Sequence, residues 1–299
     1  MALGAVVAGA ALLGLAPVFI RGSHLGPIAT GFWRMALAAP VLGTWMFLHG
    51  RTSVERTRPR LKLRAVLLLS IPGLFFASDI AMWNWSVVLT RVANATLFVN
   101  FAPIFVTLVA WFWLGERFGW KFVVGMALAL AGAAVLLLLS RGEGEGRLLG
   151  DALAFGAAVF YAGYLLGVKR LRDRYSVSAI MFWSTAFAAV CLLGIALVNG
   201  ERCWGASLSG WLNVLGLALV CHVAGQGLIA YSLAHLPANF SSVTLLIQPV
   251  SATAFAWVLL HEKLGLLQVA GGVLVLFGIF MARLGSLQNA NRKPAADGG

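Results

Sequence analysis

Asp79 is the only acid set deep inside a long apolar run of this chain. An ionisable side chain at membrane depth is costly, and by default it marks a solute pathway or a binding site. Ser78 precedes it, and Trp83 and Ser86, four and seven residues on, share its helix face. Pro72-Gly73, two turns earlier, can kink the same helix. Two roles are open. Asp79 lines an interior site, where it could meet an ammonium group or take up a proton, or it reaches the hydrated outer rim and faces water.

Two further runs carry polar residues at helical spacing. Thr96, Asn100, Pro103 and Thr107 share one face, and Ser242, Pro249 and Thr253 repeat the pattern later in the chain, with Gln248 beside the proline. A proline inside a span removes one backbone hydrogen bond and frees a carbonyl, which is tolerated where the helix faces a cavity. Asn100 and Gln248 are therefore expected in a cavity wall. The hydroxyl residues suit hydrogen bonding between helices, with Thr96 and Ser86 the two grouped with the candidate solute contacts. His222 and Gln226 lie one turn apart. A single histidine with no second ligand at metal spacing reads as a packing residue, so Gln226 is the site candidate of the two. Arg34, early in its run, either snorkels to an interface or acts as a gate or carboxylate partner. Aromatic residues are dense, and most suit interfacial belts. Trp83 and Tyr164 fall in span interiors instead, with Tyr161 beside them, and such rings could line a pocket for an apolar or aromatic side chain. Glu116 and Glu262 close two helices next to Arg117 and Lys263 and read as structural charge pairs that fix the loops.

The elements that must position these residues follow from composition. Hydrophobic residues make up 61% of the chain and charged ones 11%, with a mean hydropathy of +0.90. A soluble domain carries roughly a quarter charged residues, so the chain is expected in a bilayer, with lipid as its solvent. The net charge of +12 lies in loops between apolar runs and points to membrane orientation, not to nucleic acid. Cys191, Cys203 and Cys221 give neither a C-x-x-C pair nor a disulfide framework. No cofactor or metal is expected. The N-terminus starts apolar without a basic region and reads as a first span, not a cleaved leader.

Counted against a span of roughly 20 residues, the chain yields about ten helices. They run near Ala2–Ile20, Ile28–Leu48, Ala65–Leu89, Ala93–Leu114, Lys121–Ser140, Leu148–Val168, Ser178–Val198, Gly210–Tyr231, Ala238–Leu260 and Leu266–Leu284. The stretch from Pro103 to Leu139 returns as Pro249 to Gly285 at constant shift. Pro103, Trp111, Glu116, Gly125 and Gly132 fall on Pro249, Trp257, Glu262, Gly271 and Gly278, which reads as an internal duplication. The expected layout is a first five-helix repeat over 1–140, a linker over 141–147, a second repeat over 148–284, and a disordered cytoplasmic tail over 285–299. Gly125 with Gly132, and Gly271 or Gly272 with Gly278, let helices approach closely, within the chain or between copies. Basic residues concentrate in the second loop (Arg51, Arg56, Arg58, Arg60, Lys62, Arg64) and the sixth (Lys169, Arg170, Arg172, Arg174). If ten spans alternate, these share one face, which is the cytoplasmic one, and both termini lie there. An odd number of spans per copy makes the repeats inverted, an arrangement that places a solute site near the midplane between them.

Two halves, an Asn-led fourth and ninth helix with an inner proline, a glutamate after each aromatic end (LGER, LHEK) and glycine-rich fifth and tenth helices together resemble the EamA family of the drug/metabolite transporter superfamily. The resemblance covers almost the whole chain. It implies an all-α membrane protein: ten transmembrane helices as two inverted five-helix repeats around a central cavity. It further implies a secondary carrier of the bacterial inner membrane that exports amino acids or related small metabolites. The aromatic residues favour large neutral or aromatic amino acids, with a proton as the candidate coupling ion. The alternative is a passive facilitator or multidrug exporter of the same fold. The site residues expected on this basis are Asp79, Trp83, Ser86, Thr96, Asn100, Tyr161, Tyr164, Gln226 and Gln248, with Pro103, Pro249, Glu116, Glu262 and Arg34 structural or gating. An enzyme is not expected. There is no G-x-S-x-G elbow, no H-E-x-x-H and no phosphate-cradling loop. A channel would need a continuous polar lining, and polar residues are sparse. Nothing in the residues assigns an oligomeric state.

Overall fold

A computed structural model of the chain describes residues 1–49, 63–90, 92–113, 115, 117–139, 148–260 and 265–292. Among these residues the structure is all helical, and the helical segments fall into 10 runs. In lipid every backbone N–H and C=O must be satisfied within its own segment, so apolar runs of this length become helices. We label them in chain order. α1 combines Ala2–Leu13 and Ala16–Arg21, α2 is Pro27–His49, and α3 is Leu63–Leu89. α4 combines Val92–Val99 and Ala102–Phe112, α5 is Trp120–Leu139, α6 is Leu148–Leu171, and α7 is Val177–Val198. α8 joins Leu208–Gly216, a π-helical stretch Leu217–Gln226, and Gly227–Ser232. α9 combines Ala238–Thr244 and Ile247–Leu260, and α10 is Leu266–Arg292.

Helices α1, α3, α4, α6, α7, α8 and α10 account for the 7 that are long and apolar enough to cross a membrane by length and composition. α5 is apolar but shorter in that measure. The protein is a multi-pass membrane protein. Serine caps start two helices: Ser176 Oγ accepts the Ala179 N–H at 3.3 Å, and Ser207 Oγ accepts the Gly210 N–H at 3.2 Å.

Three helices are interrupted. α4 breaks just before Pro103 and α9 just before Pro249, as the inner prolines predict, because neither proline has an N–H to offer the preceding turn. At the second break the Gln248 N–H bonds the Leu245 carbonyl at 2.9 Å. α1 breaks at Gly14 and Leu15, ahead of Pro17, which the sequence reading did not separate from the rest of its span. Pro40 and Pro72 are carried within α2 and α3 without a break. One expectation is corrected. The stretch read as a disordered tail from 285 is helical through Arg292, since α10 elongates by one hydrogen bond per residue through Leu287, Gln288 and Asn289 once its body is packed. Arg51 to Lys62 of the basic second loop, the 141–147 linker, and Glu116 and Glu262 lie outside the described residues, while Arg64 falls in the first turn of α3.

Helix pairing decides the architecture. The most extensive contacts are α5 with α10, α3 with α6, and α2 with α7, followed by α1 with α8. Glycines set how closely they approach. Gly125 meets Gly278 and Ala282, Gly132 meets Gly271 and Val275, and Gly285 meets Phe122. As numbers rise along α5 they fall along α10, so the two are antiparallel. The same holds for α2 and α7, where Gly31 meets Leu192 and Gly43 meets Phe182. The duplicated glycines therefore build a seam within the chain. Small buried residues such as Ala38, Ala158 and Ala188 fill the core, while Leu67, Phe112, Val190 and Phe280 point outward. That distribution suits a surface that faces lipid tails.

Candidate solute site

Asp79 sits on α3 with 7% of its surface exposed. It lies sixteen residues past Leu63, about 24 Å along a helix about 40 Å long at about 1.5 Å per residue. It is enclosed by protein. Arg34, on α2, is 8% exposed, so it does not snorkel. Its guanidinium carbon lies 5.7 Å from the centroid of Phe76, one helical turn before Asp79, and its buried Nε has no hydrogen-bond partner. Arg34 and Asp79 lie within electrostatic range of one another and of Tyr161 and Tyr164.

The second half of the chain closes over these two charges. Gln226 Nε2 donates to the Tyr161 hydroxyl at 3.5 Å, and Gln248 also faces that hydroxyl. A column of rings runs through the same place. Tyr161 stacks on Tyr164 with centroids 6.0 Å apart, Tyr164 on Phe76 at 4.5 Å, and Phe76 on His222 at 5.5 Å. His222 Nε2 pairs with Thr185 Oγ1 at 2.8 Å, while His222 Nδ1 and Gln226 Oε1 are buried without a partner. His222 and Gln226 belong to the π-helical part of α8, and a π-turn inside an α-helix often accompanies a functional site. Of the expected residues, then, Asp79, Arg34, Tyr161, Tyr164, Gln226 and Gln248 come together.

Among the described residues, Asn100, Ser86 and Trp83 make no hydrogen bond to this group. The Asn100 amide donates to the Thr96 carbonyl at 2.7 Å within α4. Ser86 is fully buried with its hydroxyl unpartnered. Trp83 is half-buried with its indole N–H unpartnered. Pro103 and Pro249 are buried at the two breaks. Phe76, Thr185 and His222 were not singled out as site residues from sequence. Phe76 had a signal, since it shares the face of Asp79 at three residues' distance; Thr185, on a remote helix, had none.

No solute-sized hollow opens beside Arg34 among the described residues. The space bounded by Arg34, Trp83, Asn84 and Thr30 is about 10 Å³, room for about one water. A larger hollow of about 210 Å³ lies between α5, α9 and α10, against Leu136, Val250 and Gln268, and takes in none of the expected contacts. The helix ends beside the α1–α2 and α7–α8 connections are tied shut. Glu201, in the α7–α8 connection, accepts the Ala29 N–H at 2.9 Å and the Ile28 N–H at 3.3 Å, capping α2 from the other half of the chain. Gly26 passes so close that a side chain there would strike that carboxylate. Trp33 Nε1 donates to the Cys203 carbonyl at 2.6 Å and packs edge-on against Trp204 and Trp211, at 4.7 and 4.8 Å.

Known proteins resemble the chain over most of its length. A probable terminal-alkyne amino-acid exporter of Streptantibioticus cattleyicolor is 27% identical over 272 residues, which is 90% of this chain and 86% of that protein. The pseudopaline exporter CntI of Pseudomonas aeruginosa is 25% identical over 219 residues, 72% of this chain and 74% of its own. A solved crystal structure superposes with a TM-score of 0.80 at 20% identity, covering 96% of this chain and 98% of that one, which fixes the likeness of fold. The EamA-like transporter family matches twice, over residues 1–138 and again over 148–284. Two copies of a non-enzymatic transporter domain thus fill the chain, and it belongs to the EamA-like transporter family.

Proposed function

We propose that this protein is a secondary transporter that moves amino acids or closely related small metabolites outward by alternating access. Its two repeats are inverted in the bilayer and enclose one solute site. The observation that carries the reading is the meeting of Asp79, Tyr161, Tyr164, Gln226 and Gln248, drawn from both repeats, in the interior of the bundle. Buried polar groups without partners are costly, and Gln226 Oε1 has none; a solute would supply one. Inversion is supported by the antiparallel course of the counterpart helices α2 with α7 and α5 with α10. Five crossings per repeat would produce that reversal, and two bundles rocking about a midplane site is how such repeats alternate access.

The solute class draws on two lines of support. Relatives bear the names of exporters, one of them of a terminal-alkyne amino acid. The ring column from Tyr161 to His222 suits a large neutral or aromatic side chain. The basic residues of the α2–α3 and α6–α7 connections favour an orientation in a bacterial inner membrane with those loops and both termini on the cytoplasmic side. A proton is the first coupling ion to test, with Asp79 its acceptor.

The test is uptake into proteoliposomes of labelled amino acids, sugars and nucleosides, with and without a proton gradient. Large neutral amino acids should be taken up well above protein-free vesicles, and the gradient should raise the flux. Flux confined to sugars, nucleosides or drugs would refute the amino-acid class. A flux indifferent to the gradient would make the protein a facilitator.

A further inference from the structure

Arg34 and Asp79, a base and an acid on neighbouring helices, are each more than nine-tenths buried, and yet do not pair. Among the described residues neither makes an ion pair or a hydrogen bond, and Arg34 Nε is enclosed without a partner. Removing charges from water is expensive, and the cost is recovered only when good geometry and further hydrogen bonds satisfy them. A purely structural pair would close to contact. This one is held apart, with the guanidinium drawn over the face of Phe76.

We propose that Arg34 and Asp79 form a two-headed site for a zwitterion. The guanidinium takes the solute carboxylate, which it can grip through two parallel N–H bonds, and the Asp79 carboxylate takes the ammonium. The faces of Phe76, Tyr164 and Tyr161 continue from Arg34 along one column, so an apolar side chain leaving the same carbon meets rings and not charge. Solutes with only one charged end leave the opposite protein group buried and unpaired, and the site rejects them. The inference rests on the transport reading above and adds the requirement for both charges at once.

The experiment is competition for binding of labelled L-phenylalanine to the purified full chain in detergent. The competitors are unlabelled L-phenylalanine, 3-phenylpropanoate and 2-phenylethylamine, which keep the ring and lose one charge each. Both single-charge analogues should compete at least about tenfold more weakly, since a lone buried charge is strongly penalised. Asp79→Asn should bring 3-phenylpropanoate to within about threefold of phenylalanine, and Arg34→Gln should do the same for 2-phenylethylamine. If either variant does not elute as a single species, the analogue series on the unaltered chain still decides. Competition as strong from a single-charge analogue as from phenylalanine overturns the proposal, as do equal losses for all three ligands in both variants. A chain that binds no amino acid while transporting other solutes overturns the transport class itself, and this inference with it.

Discussion

At the scale of single residues, the interior is governed by which polar atoms find partners. His222 is 1% exposed and satisfied at Nε2 by Thr185 alone. Threonine to valine keeps the shape and removes that partner. Thr185→Val should therefore lower stability by about 1–3 kcal/mol, the cost of a buried polar atom left unmatched. Thr185→Ser should retain most of it. The measurement is the unfolding midpoint of purified protein, with phenylalanine binding beside it. A midpoint unchanged in Thr185→Val would mean that His222 finds another partner. The same accounting applies to Asn100. Its amide donates one turn back to the Thr96 carbonyl within α4, a local bond that spacing alone does not reveal.

At the scale of helices, glycine positions set the packing distances. A Cβ on Gly278 would fall onto the backbone of Ala129 and Gly125, whereas one on Gly272 would meet only Val250, at 3.8 Å. Gly278→Ala must push α5 and α10 apart and should cost about 3 kcal/mol; Gly272→Ala should be close to neutral. Detergent-resistant folding, read as the yield of a monodisperse species and its unfolding midpoint, checks the contrast. Equal behaviour of the two variants would mean that the seam does not depend on close backbone approach. The proline breaks belong to this scale too. Pro103 and Pro249 interrupt α4 and α9 at corresponding places, and Gln248 lies beside the second break, facing Tyr161. Each break ends a run of intrahelical hydrogen bonds, giving the helix a place to bend as a site opens.

At the scale of the whole molecule, the two halves are clamped at one end and the space beside Arg34 and Trp83 holds about one water, so that end is closed. In the proposed orientation the clamped end faces outward. Glu201 contributes a negative charge at the α2 N-terminus, which favours closure by about 1 kcal/mol. Glu201→Gln should shift the population toward the open form about fivefold. The buried thiol of Cys203 reports it: a membrane-impermeant maleimide should modify the Cys203 peptide about fivefold faster in the variant than in the unaltered chain. An unchanged rate would show that the carboxylate does not hold this end shut.

Helix number, near-complete helix boundaries, the duplication and the family were legible in the sequence. Lipid imposes one local rule, that each backbone group bonds within its own segment, and a local rule leaves its mark in local letters. Prolines and glycines at repeated spacing carried the breaks and the seam for the same reason. What no stretch of letters contains is the encounter of distant side chains. Arg34 reaching Phe76, Tyr161 receiving Gln226, Thr185 satisfying His222 and Glu201 capping α2 all join residues far apart in the chain. These contacts depend on how antiparallel helices slide and rotate against one another, and only the folded bundle decides that. The open hollow expected at the centre is of the same kind. Whether a cavity exists between packed helices is a property of their mutual distance, and beside Arg34 and Trp83 that distance leaves only about 10 Å³.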